Sequence, residues 1–218
     1  YEVGMSYLGQ KILYFILNEK PSLVAERVFA PWVDFEKKLR AFNLPLFSLE
    51  NKIPLFQFDI LGFSLLYELN YSNILTILDL GRIPIFSSER GIDHPLVIAG
   101  GPAAFNPEPV ADIFDLLLIG DGEEALVEIV EEFMRLKQEL RDKAAILKEL
   151  SRIKGVYVPS LYTPYLDSKS LLLAERPSAG VAERIEKRVC FPFHQAPFPE
   201  KVIVPNIKII FDRVAVEV

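Results

Sequence analysis

The chain has 218 residues, half of them apolar and a quarter charged, and a net charge of −6. This length and composition are typical of a packed protein with one domain of about 150 residues and a smaller appendage. The negative charge argues against a nucleic-acid surface, because phosphate contacts require clustered lysine and arginine.

Membrane insertion and soft-metal chemistry are disfavoured as well. No stretch reaches the roughly 20 uninterrupted apolar residues of a membrane span, and the first residues do not resemble a basic, cleavable leader, so we expect a cytoplasmic protein. The single cysteine, Cys190, cannot form an internal disulfide. Without other soft ligands it cannot hold zinc or an iron–sulfur cluster within this chain alone.

The first 137 residues alternate between helical and strand-like patterns. Ser6 is the expected N-cap of the first helix, and Gly81 is the expected C′ residue of the third. Apolar residues at helical spacing predict helices over 5–19, 32–43, 68–81 and 122–137. Short apolar runs predict strands over 23–31, 58–66, 83–88, 95–101 and 114–120.

This alternation predicts the fold. Strands that alternate with helices indicate βαβ units and a parallel sheet. We therefore predict a doubly wound, Rossmann-like α/β domain over residues 1–137, with ligands at the carboxyl ends of the strands. Residue 1 already lies in the loop that leads into the first helix, so we expect the chain to be a fragment that lacks a preceding strand.

The sequence changes character after residue 137. Residues 138–155 are charged and helical, and we expect them to form a linker that leads away from the sheet. Residues 156–218 carry short strand-like runs that prolines interrupt, without helical spacing. Prolines suit edges and turns rather than central strands. This part is predicted to be a β-rich connector rather than an independent core.

The loop at 98–109 places Gly100 and Gly101 directly after a predicted buried strand. Paired glycines permit a positive φ in a turn, or they let the backbone approach a ligand closely. Turn geometry is the favoured interpretation of the pair by itself, and ligand contact is the alternative.

The segment "LLLIGDGEEALVEI", residues 116–129, places three carboxylates at the start of a helix. It lacks the Walker A lysine and the G-x-G-x-x-G pattern, and its charges would repel a phosphate. A hard metal ion could bind Asp121, Glu123 and Glu124, but adjacent glutamates on a helix converge poorly. The favoured interpretation is that Asp121 caps the helix while the glutamates complement its dipole.

Other chemically active residues have ordinary structural interpretations. His94 lies in a polar loop, and Cys190 and His194 supply two ligands where a metal site needs more. Trp32 is expected in the core or at a domain interface, on the apolar helix face that also carries Phe35, Leu39 and Phe42. We predict no catalytic residue and no metal ligand in this chain.

Several blocks of sequence resemble one known family in order along nearly the whole chain. They include "YEVGMSYLG", "ERVFAPW", "DILGFSLLYELNYSNIL", "PLVIAGGPAAFNPEPVADIFD", "IGDGEEAL" and "GVYVPS". Together they look like the N-terminal part of radical S-adenosylmethionine (SAM) proteins that carry a cobalamin-binding-like N-terminal domain. The resemblance implies a Rossmann-like sheet of the cobalamin-binding-domain type.

The closing "DRVAVEV" resembles the first strand of the catalytic barrel of that family, and the C-x3-C-x2-C cluster motif would follow it. The resemblance therefore assigns the 4Fe–4S cluster and S-adenosylmethionine to the parent protein, outside this chain. It implies a parent enzyme of the methyltransferase or a related group-transfer type. The implied partner is the C-terminal radical SAM barrel of the same polypeptide.

The resemblance also implies cobalamin as the cofactor of this domain. In the lower-ligand motif D-x-H-x-x-G, Tyr1 stands at the histidine and Gly4 at the glycine, so binding would proceed without a histidine ligand. The positions implied to contact the cofactor are Tyr1, Gly4, Ser64, Leu65, Gly100, Gly101, Gly120, Asp121, Gly122 and Glu123. Two functions stay open: a cobalamin-binding accessory domain, or a domain of the same fold without cofactor that acts as a scaffold or as a substrate- or partner-binding module.

Overall fold

The computed structural model describes residue 4 and residues 7–166, 172–192 and 196–199. This part contains five α-helices and six strands. The helices are α1 Leu8–Asn18, α2 Val33–Ala41, α3 Tyr71–Leu80, α4 Ala125–Glu139 and α5 Lys143–Leu150. The strands are β1 Ile60–Ser64, β2 Leu96–Gly100, β3 Leu116–Leu118, β4 Val156–Tyr157, β5 Tyr162–Leu166 and β6 Leu172–Pro177.

Four of the described strands form the main sheet, in the order β1-β2-β3-β4. The first three strands are parallel, and β4 runs antiparallel to β3. All of β3 and most of β2 are buried, as expected for parallel strands covered on both faces. The continuous apolar runs predicted at 58–66, 95–101 and 114–120 are thus confirmed as strands, and the protein is a mixed α/β structure.

Helices cover both faces of this sheet. Because side chains alternate along a strand, Val97 and Ala99 face a core shared with α2 and α3. Their neighbours Leu96 and Ile98 face a second core shared with α4 and α5. Helix α1 packs beside α4.

Two predicted strands are wrong. Residues 23–31 are not a strand: Arg27 forms one backbone hydrogen bond to Leu49 and an ion pair with Glu50, at 2.6 Å. Residues 83–88 are not a strand either, because the carbonyl groups of Pro84 and Ile85 accept from the Arg90 guanidinium. In both places a side chain, Glu50 or Arg90, bonds to backbone groups that a sheet ladder would otherwise pair.

The predicted helix ends also need correction. Ser6 lies outside the described residues, and Tyr7 is the N-cap of α1 without a side-chain cap. Gly81 has a right-handed conformation, and the left-handed residue after α3 is Arg82, with φ 56°. Gly81 instead permits close packing, because a Cβ there would lie 3.3 Å from Leu55.

The segment after residue 137 is more closely attached to the sheet than expected. Helix α5 does not lead away: Ile146, Leu147 and Leu150 are buried in the core shared with α4. Strand β4 joins the main sheet, although the sequence placed it in the connector. The domain boundaries at 137 and 155 stay predictions.

Within the described part of the connector, β5 pairs antiparallel with β6 in a separate sheet. The closing "DRVAVEV" lies outside the described residues. None of the helices in the described ranges combines the length and the apolar character that a membrane crossing requires.

Candidate functional site at the carboxyl edge of the sheet

The three parallel strands end side by side. Ser64, Gly100 and Leu118 are aligned across β1, β2 and β3, so the loops that follow begin at one edge of the sheet. We call this the carboxyl edge. It brings together the predicted positions at Ser64 and Leu65, at Gly100 and Gly101, and at 120–123.

The loops after β1 and β2 pack against each other. Leu65 donates its N–H to the Gly100 carbonyl at 2.7 Å, and its own carbonyl accepts from Ala103 at 2.9 Å. Gly101 has φ 112°, and a Cβ there would lie 2.9 Å from the Leu65 carbonyl oxygen. The glycine is therefore required for this turn and close approach, and the Leu65 backbone occupies the space that a side chain would fill.

The loop after β3 binds the connector. Arg188 donates its N–H to the Ile119 carbonyl at 2.9 Å and accepts from the Asp121 N–H at 3.1 Å, which forms a parallel bridge between Gly120 and Arg188. Gly120 has φ 119°, and a Cβ there would overlap the Arg188 backbone. A Cβ on Gly155 would lie 2.9 Å from the Arg188 Cβ, so this glycine also makes room for the connector.

Side chains of the same loop hold the connector too. Asp121 accepts the Cys190 N–H at 2.9 Å, and the Arg188 guanidinium pairs with Glu128 at 3.0 Å and Glu124 at 3.4 Å. The predicted Asp121 cap is wrong: Glu124 is the N-cap of α4, without a side-chain cap. Among the described residues, no group of three or more His, Cys, Asp or Glu side chains could hold a metal.

Cys190 lies beneath this loop and is 5% exposed. Burial raises the pKa of the Cys190 thiol, and the nearby negative charges of Glu124, Glu123 and Asp121 raise it further. A thiol kept protonated in this way is a poor nucleophile. One Glu123 carboxylate oxygen is buried here and has no hydrogen-bond partner among the described residues.

The remaining predicted positions contact protein. Tyr1 lies outside the described residues. Gly4 lies against the Phe29 ring, and a Cβ at Gly122 would lie 3.2 Å from Leu13 of α1. Gly100 keeps ordinary distances, with the Leu118 carbonyl oxygen 3.6 Å from such a Cβ.

A groove of about 350 Å³ opens beside these loops, between the segment after β2 and the connector. This is near the lower end of small-molecule sites, at roughly 300–1,000 Å³. Tyr157 donates to Glu108 at 3.0 Å, and the Lys187 ammonium lies 5.9 Å from the Phe105 ring. The wall of the groove includes Phe105, Glu108, Ile119, Tyr157, Ile185 and Lys187.

Sequence reasoning missed this groove, and none of its residues is among the predicted cofactor positions. Phe105 could have been predicted to line a site, because it is an aromatic residue in a loop directly after a buried strand. Ile185 and Lys187 could not, because their position depends on the return of the connector to the sheet.

The structure also tests the interpretations of His94 and Trp32. His94 accepts the Gly91 N–H at 3.1 Å within a tight turn, which agrees with its structural interpretation. Trp32 is 79% exposed, so its predicted place in the core is wrong, and only Leu39 of the α2 apolar face is fully buried. His194 lies outside the described residues.

A buried ionic cluster lies at the opposite, amino edge of the sheet, and no sequence pattern predicted it. Asp115 precedes β3 and pairs with Arg90 at 3.1 Å and Lys143 at 2.6 Å. It also accepts the Val97 N–H at 2.7 Å and the Ser87 hydroxyl. Because Asp115 and backbone carbonyls accept the hydrogen bonds of both cations, this cluster joins elements rather than forming an open site.

The comparisons with known proteins identify the class to which this chain belongs. Residues 9–159 match a family model described as radical SAM proteins, N-terminal. The chain therefore belongs to the N-terminal family of radical SAM proteins. No curated protein and no solved structure matches it significantly.

Membership in this family implies a 4Fe–4S cluster and S-adenosylmethionine in the parent protein. The matched range runs from α1 to just past β4, so it includes the main sheet. It ends before Ile185, Lys187 and Arg188, which cover the carboxyl edge.

Proposed function

We propose that this chain is the N-terminal accessory domain of a radical SAM enzyme and that it acts as a cofactor-free scaffold for the catalytic part. The observation that carries this proposal is the filling of two glycine positions at the carboxyl edge, Gly101 and Gly120. The Leu65 backbone fills the space at Gly101, and the Arg188 backbone fills the space at Gly120. The resemblance implies that these loops surround the dimethylbenzimidazole tail of cobalamin, in what we call the tail slot. The tail needs this space for itself, so these residues do not fit the group.

The topology adds support for the scaffold. Helices on both faces agree with a doubly wound, Rossmann-like sheet of the cobalamin-binding type, which we propose as the ancestry of the domain. The described strands nevertheless follow chain order, β1 to β4. Ligands of such sheets bind where the strand order reverses, and no reversal occurs among the described strands.

Cobalamin binding is the second candidate function. It is favoured by the meeting of the loops after β1, β2 and β3 at one edge beside an open groove of about 350 Å³. Binding in the tail slot would require Arg188 to leave Gly120, which breaks two backbone hydrogen bonds and two ion pairs.

Hydroxocobalamin distinguishes the two functions. The full polypeptide with its cluster reconstituted is incubated with hydroxocobalamin and desalted, and its visible spectrum is recorded. The scaffold function predicts far less than one retained equivalent. Ser64→Trp blocks the exposed end of β1. If the wild type retained one equivalent of cobalamin and this variant lost it, the cobalamin function would be established instead.

A matched control removes the ambiguity of a damaged fold. Leu75→Trp places the same indole on an exposed position of α3, since Leu75 is 38% exposed, away from the carboxyl edge. Retention that both substitutions leave unchanged would mean that cobalamin binds outside the tail slot, and this too would contradict a cofactor-free protein.

A further inference from the structure

The carboxyl edge carries a group of exposed apolar side chains. They come from the loop after β1, the loop after β2 and the connector: Leu66, Tyr67, Leu69, Phe105, Val189 and Phe191. Their exposed fractions run from 36% at Leu66 to 84% at Phe191. We call these six residues the carboxyl-edge patch.

The three segments of the patch are in contact with one another. Ala103, two residues before Phe105, donates to the Leu65 carbonyl at 2.9 Å. The Lys187 ammonium of the connector lies over the Phe105 ring, 5.9 Å from its centroid. The backbone bridge between Arg188 and Gly120 fixes Val189 and Phe191 at the same edge. These contacts bring the three segments together at one edge of the sheet, and exposed apolar side chains gathered in this way mark an interaction site.

The connector indicates which partner covers the patch. It contributes two members of the patch, Val189 and Phe191. The family model is described as the N-terminal part of radical SAM proteins, so we infer that the catalytic part lies further along the same polypeptide and is tethered to this domain through the connector.

We propose that the carboxyl-edge patch is the surface on which the catalytic part of the same polypeptide docks. This inference rests on the proposed scaffold function and names its partner and its contact surface. A tethered partner has a high effective concentration, so a surface of moderate size is sufficient for stable docking.

Thiol labelling of the intact polypeptide tests this docking. Phe105→Cys and Leu69→Cys place thiols in the patch, and Phe86→Cys is the matched control. Phe86 is 49% exposed and Phe105 57%, and both lie in short turns. Phe86 sits at the amino edge, where its neighbour Ser87 contacts Asp115. Each variant is treated with a maleimide, and the rate at each site is read by peptide mass spectrometry.

Docking predicts that the two patch thiols react at least about tenfold more slowly than the control thiol, which corresponds to about 1.4 kcal/mol of docking free energy. Equal rates at the three sites would overturn the proposal. Protection that weakens on dilution would overturn it as well, because it would mean that a second copy covers the patch. Circular dichroism verifies the fold of each variant.

The hydroxocobalamin spectrum of the same preparations reports the scaffold function separately. Low retention with equal labelling rates would reject the docking surface and keep the cofactor-free scaffold. Stoichiometric retention would reject the scaffold function whatever the labelling rates are, and the docking surface with it.

Discussion

Gly120 and Gly180 both have positive φ, at 119° and 81°, but their surroundings differ. No atom lies within 4 Å of a Cβ built at Gly180, whereas one at Gly120 overlaps the Arg188 backbone. Glycine is therefore required for different reasons at the two positions. Gly180 permits a turn, and Gly120 permits both a turn and the close approach of the connector.

Alanine substitutions separate these two jobs. Gly180→Ala should lower the free energy of unfolding by about 1–2 kcal/mol, the cost of a left-handed side chain. Gly120→Ala should lower it by about 1–3 kcal/mol more, because overpacking adds to the strain. Gly100→Ala is the control without positive φ, and urea denaturation measures all three. Equal losses at positions 120 and 180 would contradict the contact with Arg188.

Asp115 is the other residue on which much of the structure depends. Its side chain and that of Arg90 are completely buried, and Lys143 is 16% exposed. Burial lowers the pKa of Lys143, the charge of Arg90 lowers it further, and Asp115 opposes both. Without the carboxylate, two cations would remain next to each other in a dry environment.

Asp115→Asn should therefore destabilise the chain by about 3–5 kcal/mol, the usual cost of breaking a buried ion pair on one side. Asp59→Asn is the matched control. It removes the exposed pair with Lys137, and its effect should stay within about 1 kcal/mol. Thermal unfolding followed by circular dichroism measures the stability of both variants. A similar loss of stability in the two would show that the buried ionic cluster at the amino edge does not stabilise the fold more than an exposed ion pair does.

At the scale of elements, the sequence predicted what is local. The strands at 58–66, 95–101 and 114–120 were recognisable because burial on both faces produces continuous apolar runs. The predicted strand at 23–31 fails because Glu50, 23 positions from Arg27, binds that segment, and the one at 83–88 fails because its carbonyl groups bind the nearby Arg90 side chain. The role of Asp121 could not be predicted from the sequence either, since its partner Cys190 lies 69 positions further along the chain. Return contacts of this kind leave no periodic signal.

The connector is held to the sheet by contacts of this kind. Arg188→Gln tests this attachment. The substitution removes the ion pairs with Glu124 and Glu128 and keeps the backbone bridge. Partly exposed pairs contribute about 0.2–1 kcal/mol each, so the loss of two pairs should increase the local opening that exposes Cys190 roughly two- to thirtyfold. Alkylation of Cys190 by iodoacetamide at neutral pH, read by mass spectrometry, should accelerate by the same factor.

Arg176→Gln is the control for this experiment, because Arg176 lies on β6 over the Tyr165 ring and not at the carboxyl edge. It should leave the alkylation rate of Cys190 unchanged. An Arg188→Gln rate equal to that of the wild type would mean that the backbone bridge and Asp121 hold the connector without the guanidinium.

At the scale of the whole molecule, stability should be unequal between the two sheets. Strand β2 is paired on both sides and is buried between two helical layers. Strands β5 and β6 pair only with each other in the described part of the chain, and an isolated two-stranded sheet is marginal in water.

Hydrogen exchange of the full polypeptide should reveal this difference. Opening free energies run from about 0 in weakly held parts to the global value of about 5–15 kcal/mol. Amides of β2 and β3 should therefore exchange roughly a hundredfold or more slowly than those of β5 and β6. Residues 187–190 should lie between these limits, because among the described residues their backbone bonds go to the loop after β3. Exchange of these residues as slow as that of β2 would instead make the connector an integral part of the main sheet, so that opening the carboxyl edge to a cofactor would require global unfolding.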